Sequence, residues 1–63
     1  MDYNEGDIII YSPFGGGERR VRVLTKEDDV KNGRPGFDGD LLDGDTVIGQ
    51  VWGYDSQIVR VEL

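Results

Sequence analysis

The chain has 63 residues, with 13 acidic against 7 basic side chains and a net charge of −6. A chain of this length forms one small domain, residues 1–63, that buries only about 60% of its unfolded surface. It has no cysteine and no histidine, which excludes disulfides, thiolate metal sites and a histidine general base. These absences favour a non-enzymatic domain without a cofactor, and they fit a reducing, cytoplasmic setting.

The apolar stretches are short. The longest run, Ile8–Tyr11, is far below the roughly 20 residues that span a bilayer. The acidic first residues have none of the basic and apolar segments of a signal peptide. We therefore expect a soluble intracellular protein with no membrane partner.

Alternation of apolar and polar residues predicts strands rather than helices along the whole chain. Residues 7–11 form the first predicted strand, which ends before Pro13 because proline cannot donate to a strand ladder. Residues 19–25 form the second, with Val21 and Val23 on one face. Residues 26–31 are highly charged, and we predict an exposed extension or a loop there.

Turn residues divide the second half of the chain. The pair Asn32 and Gly33 predicts a type I′ turn, since both residues tolerate positive φ. Residues 37–42 and 47–54 form the next predicted strands, joined by a hairpin turn at 43–46. Residues 55–57 predict one turn of 3₁₀ helix capped by Asp55 or Ser56, before a last strand at 58–63.

Five short strands, a long early loop and two tight turns predict an all-β fold. The layout favours a small, strongly bent, five-stranded SH3-like barrel, because closing a sheet this small removes its exposed edges. The alternative architectures are an OB-like fold or an open antiparallel meander.

Two patterns that could bind small ligands do not meet the required spacing. A series of aspartates crosses the third strand and its turn: Asp38, Asp40, Asp43 and Asp45. Counted from its first member, a calcium loop would need ligands at Leu42 and Gly49, so we predict no metal site. The glycines after Phe14 precede a strand rather than a helix, so they are not a phosphate-binding loop.

A cluster of arginines indicates an alternative function, the binding of nucleic acid. Arg19, Arg20 and Arg22 could form a basic face, with Phe14 available for stacking on bases. The competing interpretation is cross-strand pairing with nearby acids, which outnumber the bases. We favour pairing and regard a nucleic-acid partner as the less expected one.

The aromatic residues carry the strongest functional signal. Both faces of residues 47–54 are largely apolar, as are both faces of the first strand, whereas a small barrel has only one interior. An exposed apolar patch marks an interaction site, and its predicted members are Tyr11, Ile48, Trp52 and Tyr54. In the alternative, bulges at Gly49 and Gly53 turn Trp52 and Tyr54 into the core.

The segments V-K-N-G-R-P-G-F-D-G and V-W-G-Y-D-S-Q-I-V-R-V, between Val30 and Val61, resemble a family of short proteins encoded by bacteriophages of actinobacteria. The resemblance implies a phage accessory protein in the host cell, and it transfers no site residues because the family has no assigned activity. The whole layout is also similar to SH3-like modules, which bind peptides or nucleic acid in other proteins. Residues 14–17 lack the acidic and aromatic cluster with which eukaryotic SH3 domains bind proline-rich peptides.

The sequence therefore predicts a non-enzymatic interaction module that binds a protein partner or a second copy of itself through an apolar and aromatic surface. A nucleic-acid-binding barrel is the first alternative. A structural component of a virion or of a larger complex is the second, and it differs from the leading prediction only in its partner.

Overall fold

The computed structural model describes residues 2–62 and has an all-β fold, as predicted. The strands are β1 (Ile8–Tyr11), β2 (Arg19–Lys31), β3 (Arg34–Asp43), β4 (Thr46–Tyr54) and β5 (Ile58–Glu62), with one turn of 3₁₀ helix at Asp55–Gln57. Within these residues, no helix has the length and apolar character needed to cross a membrane.

All five strands belong to one antiparallel sheet in the order β4-β3-β2-β1-β5. Among residues 2–62 no ladder joins β4 to β5, so the sheet is open and the predicted closure does not occur. The 3₁₀ turn separates the two strands, and its Gln57 carbonyl accepts a hydrogen bond from the Ser12 N–H, at 2.9 Å, beyond the end of β1. The chain is thereby directed onto β1 rather than back along β4.

Of the two alternatives for residues 26–31, an exposed extension or a loop, the structure has the extension, since β2 continues through Lys31. Lys26 pairs with Phe37, Glu27 with Gly36, and Lys31 with Arg34 across the turn. Charge predicts exposure here correctly, since most of this stretch is exposed, but β2 needs only its backbone to pair with β3. The polar composition therefore indicated the environment of the segment and not its conformation.

The turns agree with the sequence prediction. Asn32 and Gly33 have φ values of 57° and 72°, both positive as a type I′ turn requires. Asp43 pairs with Thr46 across a two-residue turn. The 3₁₀ helix lies where predicted, but its N-cap residue is Tyr54, whose N–H donates to Gln57 Oε1 at 2.9 Å. The predicted caps, Asp55 and Ser56, are its first two residues instead.

A compact group of side chains fills the concave side of the sheet: Tyr3, Ile9, Tyr11, Val21, Val23 and Phe37. Phe37 is fully buried and packs edge-on against Tyr11 and Tyr3, with ring centroids 5.3 and 6.3 Å apart. The predicted inward pair, Val21 and Val23, belongs to this core. The position of Phe37 matters most for the site, because Gly53 of β4 lies directly opposite it in the neighbouring strand.

The two glycines of β4 differ in their surroundings. Phe37 lies opposite Gly53 in regular register, and a Cβ on Gly53 would lie 2.8 Å from Phe37 Cζ. At Gly49, an added Cβ would meet nothing within 4 Å. The register shifts next to Gly49, where Ile48 is the extra residue of a bulge, so the predicted bulge is confirmed there. The bulge predicted at Gly53 is wrong, because the register with β3 is regular there; close packing on Phe37 is what requires glycine at that position.

Candidate protein-interaction site

The structure divides the four predicted interaction residues between surface and core. Ile48 and Trp52 are 58% and 45% exposed, whereas Tyr11 and Tyr54 are only 5% and 7% exposed. Tyr54 is thus buried, as the core alternative expected, although without a bulge at Gly53, whereas Trp52 remains exposed. Burial of most of a ring still leaves its edge free to line a groove.

Three of the predicted residues meet in one groove, which we call the aromatic groove. It has a volume of about 280 Å³ and is lined by Tyr11, Pro13, Phe14, Trp52, Tyr54 and Gln57. The loop after β1 supplies one wall, and the end of β4 with the 3₁₀ helix supplies the other. Apolar and aromatic side chains therefore converge from separate parts of the chain on a single open surface.

The alternation of β4 places the aromatic side chains of this wall. Trp52 and Tyr54 are two residues apart, so both lie on the same side of the strand, and their rings pack edge to face with centroids 5.5 Å apart. This contact fixes the position of the Trp52 ring at the groove while leaving nearly half of the side chain exposed. Trp52 is therefore held in place by Tyr54 without being buried.

Phe14 is the most exposed large apolar side chain among the described residues, at 84%. It precedes three glycines with positive φ, at residues 15–17, that curve the chain back toward β2. The Ser12 hydroxyl donates to the Gly17 carbonyl at 2.9 Å, and the Gly16 N–H donates to the Pro13 carbonyl at 3.2 Å. These bonds close the loop on itself, and Phe14 is presented at its outside.

Two cations lie over the aromatic rings of the groove. The Arg34 guanidinium is 4.0 Å from the centroid of Tyr54, and Lys31 Nζ is 5.5 Å from that of Trp52. Arg34 Nη2 also donates to Ser56 Oγ at 2.9 Å. Sequence reasoning missed both cations, because it did not decide that strand pairing continues as far as Lys31 and Arg34. The signal that could have found them is their position on either side of the Asn32 turn, which makes them a cross-strand pair.

The opposite side of Trp52 is acidic. A second groove of about 240 Å³ lies there, lined by Leu24, Asp38, Gly39, Gln50, Val51 and Trp52. Asp38 pairs with Trp52 across the ladder. A side-chain hydrogen bond with Asp38, and then the negative charge of Asp38, raise the pKa of the nearby Glu27 above its ordinary value. Trp52 therefore lies between a groove flanked by cations and a second groove lined by the Asp38 carboxylate.

Tyr3 anchors the 3₁₀ helix to the core. Its hydroxyl lies 2.5 Å from Asp55 Oδ1, to which it donates, and 3.2 Å from the Gly36 carbonyl. Burial, and then the hydrogen bond and charge of Asp55, raise the pKa of Tyr3 well above its usual range. Burial likewise raises the pKa of Tyr11, against the opposing charge of Arg19. Both phenols are held neutral, so neither is a base or a nucleophile at neutral pH.

The arginines of β2 do not form one basic face. Arg19 pairs with Tyr11 in register and lies on the side of the core, whereas Arg20 and Arg22 alternate to the other side. Arg20 is bound to Glu62, with Nε 2.7 Å from Oε2, and its Nη1 donates to the Gly44 carbonyl at 2.6 Å. This is the cross-strand pairing that the composition favoured.

The remaining sequence candidates lie away from the aromatic groove. Ile48 is in the bulge near the start of β4, about 13 Å along the strand from Trp52. Among residues 2–62, the aspartate series included, no group of three or more acidic side chains is placed to hold a metal ion. A comparison with protein-family models, curated proteins and solved structures finds no match to this chain.

Proposed function

We propose that this chain is a non-enzymatic interaction module that binds an extended segment of a partner protein in the aromatic groove. The observation that carries this proposal is the convergence of Tyr11, Phe14, Trp52 and Tyr54 on one open surface. Tryptophan and tyrosine are the residue types most enriched at binding hot spots. Phe14 and Trp52 are exposed there, and exposed apolar patches mark interaction sites.

The exposure of Phe14 supports binding rather than folding as its role. The side chain is almost entirely in solvent, so it contributes little to the core. Burying an aromatic side chain against a partner stabilises a complex by about 1.5–3 kcal/mol. The groove, of about 280 Å³, is open to solvent and can receive side chains of an extended peptide.

We further propose that the open sheet is a variant of the SH3-like barrel. The strand order, the long connection before β2 and the 3₁₀ helix before β5 support this assignment. In that setting, and with the resemblance to phage proteins, the module acts as an accessory protein in the host cytoplasm. If the partner is a structural protein, the same binding mode would make this chain a component of a virion or of a larger complex.

Selection of random dodecapeptides displayed on phage tests the proposal. We expect peptides that bind the wild-type protein, change the emission of its single tryptophan, and lose at least tenfold in affinity on Phe14→Ala. The matched control is Val59→Ala, an exposed valine of β5 outside the groove, which should leave affinity unchanged.

Two results would overturn the proposal: no peptide is enriched, or the enriched peptides bind Phe14→Ala as tightly as wild type. If peptides do bind through Phe14, Ile48→Ala tests whether the interaction surface extends along β4, since Ile48 is exposed but lies outside the groove.

The nucleic-acid alternative has less support, because Arg20 is engaged by Glu62 and Arg19 lies apart from the other two arginines.

A further inference from the structure

The distribution of unpaired cations points to the chemistry of the partner. Three ion pairs lie within residues 2–62, and they use Arg20, Lys26 and Arg60. The other cations of the chain have no carboxylate partner in that part of the chain: Arg19, Arg22, Lys31 and Arg34. In a chain with nearly twice as many acids as bases, cations without an acid are informative.

Three of these four cations adjoin the aromatic groove. Arg34 and Lys31 lie over Tyr54 and Trp52, and Arg19 is directly opposite Tyr11 in the ladder. Lys31 and Arg34 are themselves paired across the Asn32 turn, so the two charges are held side by side at one end of the groove. The groove is thus edged by positive charge on a protein whose net charge is −6.

The geometry of Arg34 leaves most of its donors available. A guanidinium carries five N–H donors in a planar fork that matches a carboxylate. Within residues 2–62, side-chain bonding engages Arg34 only through Nη2, with Ser56 Oγ. Stacking on Tyr54 fixes the plane of the fork without consuming its remaining donors. Arg34 is therefore pre-oriented to bind an anion at the rim of the groove.

We propose that the partner segment is acidic: an extended peptide with apolar side chains against Phe14 and Trp52, and carboxylates that pair with Arg34 and Lys31. This inference rests on the proposed function and specifies the class of its ligand. A peptide fits better than nucleic acid, because a polyphosphate chain would be repelled by the surrounding negative charge along its whole length. A peptide can place two carboxylates at the cations and remain neutral elsewhere.

The composition of the peptides selected above is the first test. We expect aspartate and glutamate to be enriched over lysine and arginine among peptides whose binding depends on Phe14. If Phe14-dependent peptides are neutral, or are basic and bind toward Asp38 and Glu27 on the other side of Trp52, the inference fails while the proposed function stands. If no peptide is selected, both fail.

Titration of one selected acidic peptide and its Glu→Gln, Asp→Asn counterpart is the second test. At low salt the acidic form should bind about three- to tenfold more tightly than the amide form. Arg34→Gln and Lys31→Gln should each weaken the acidic form by about two- to fivefold and leave the amide form unchanged. Arg34→Lys should restore part of the loss, because it keeps the charge but not the fork.

Arg22→Gln is the matched control, since it removes the same charge from an unpaired arginine away from the groove. It should leave both affinities unchanged. An equal loss in Arg22→Gln and Arg34→Gln would mean that only net charge matters, and would overturn the inference. The inference would also be overturned, in favour of nucleic acid, if a single-stranded oligothymidylate of about ten nucleotides bound more tightly than the acidic peptide and Arg34→Gln weakened that binding. Circular dichroism checks that each variant is folded.

Discussion

The two halves of β4 are built from similar residues and have different roles. Each half has a glycine next to a large apolar side chain, Ile48 with Gly49 and Gly53 with Tyr54. The first half is exposed, contains the bulge and has open space around its glycine. The second half ends in two buried residues, Gly53 and Tyr54, and packs on Phe37 so closely that its glycine has no room for a side chain. Position relative to the core, rather than residue type, assigns the role.

The largest effect should come from removing the side chain on which the second half packs. Phe37→Ala should lower the free energy of unfolding by about 3–5 kcal/mol, because it empties the centre of a small core. Ile48→Ala, in the first half, should change it by no more than about 0.5 kcal/mol. Urea denaturation followed by circular dichroism measures both. Similar losses in the two variants would contradict the division of β4.

The link between Tyr3 and Asp55 holds the end of the second half. Tyr3→Phe should destabilise the fold by about 1.5–3 kcal/mol, because it removes a buried hydrogen bond to a carboxylate. The raised pKa of Tyr3 also makes the stability of the wild type depend on pH. The folded state disfavours the phenolate, so this contribution is complete below pH about 10 and is lost as the pH rises above it.

Equilibrium unfolding between neutral pH and about pH 11 checks the role of Tyr3. Wild type should lose stability with increasing pH more steeply than Tyr3→Phe, so the difference between them should shrink above pH about 10. A difference that stays constant over this range would show that the phenol does not ionise on unfolding. Tyr11 titrates in both proteins, and its contribution cancels in the comparison.

The paired glycine substitutions test the comparison most directly. Gly53→Ala should cost about 1–3 kcal/mol, because its Cβ would overlap with the Phe37 ring. Gly49→Ala should be neutral or stabilising by about 0.4–1 kcal/mol, because the space is open and alanine restricts the unfolded chain. Thermal denaturation of the two variants side by side measures the difference. Equal losses would mean that backbone conformation, and not packing, requires both glycines.

Among the variants of the second half of β4 and its contacts, the smallest loss of stability should come from the groove residue Trp52. Trp52→Ala should cost about 1 kcal/mol, mainly from the lost contact with Tyr54, while it removes binding of the peptides selected by the wild type. Urea denaturation and a binding assay on the same preparation separate the two effects. A loss of stability as large as that of Phe37→Ala would assign Trp52 to the core.

Much of the fold could be predicted from local pattern. Short apolar or alternating runs between turn residues identified all five strands, and Asn32 with Gly33 marked a turn whose positive φ values few other residues tolerate. The sequence left open whether residues 26–31 extend β2 or form a loop, because an exposed strand that needs only backbone pairing has no apolar alternation. Closure was wrongly predicted, because which edges pair depends on where the 3₁₀ turn directs the chain.

The candidate site was predictable only in part. The aromatic residues stood out by type, and Tyr11, Trp52 and Tyr54 do meet in one groove. Ile48 was grouped with them because it shares their side of a regular strand, but its distance along β4 separates it from the groove. The cations Lys31 and Arg34 had no distinguishing pattern, since their positions depend on the pairing of β2 with β3.

The sequence by itself determined the fold class, the turns and the absence of disulfide and histidine chemistry, because these follow from residue type and near-neighbour spacing. Only the tertiary structure decided that Tyr54 is buried while Trp52 is exposed, and that two cations lie over their rings. Both depend on contacts between residues far apart in the chain. The packing of Gly53 on Phe37 is the clearest example, because nothing in the sequence of β4 distinguishes that glycine from Gly49.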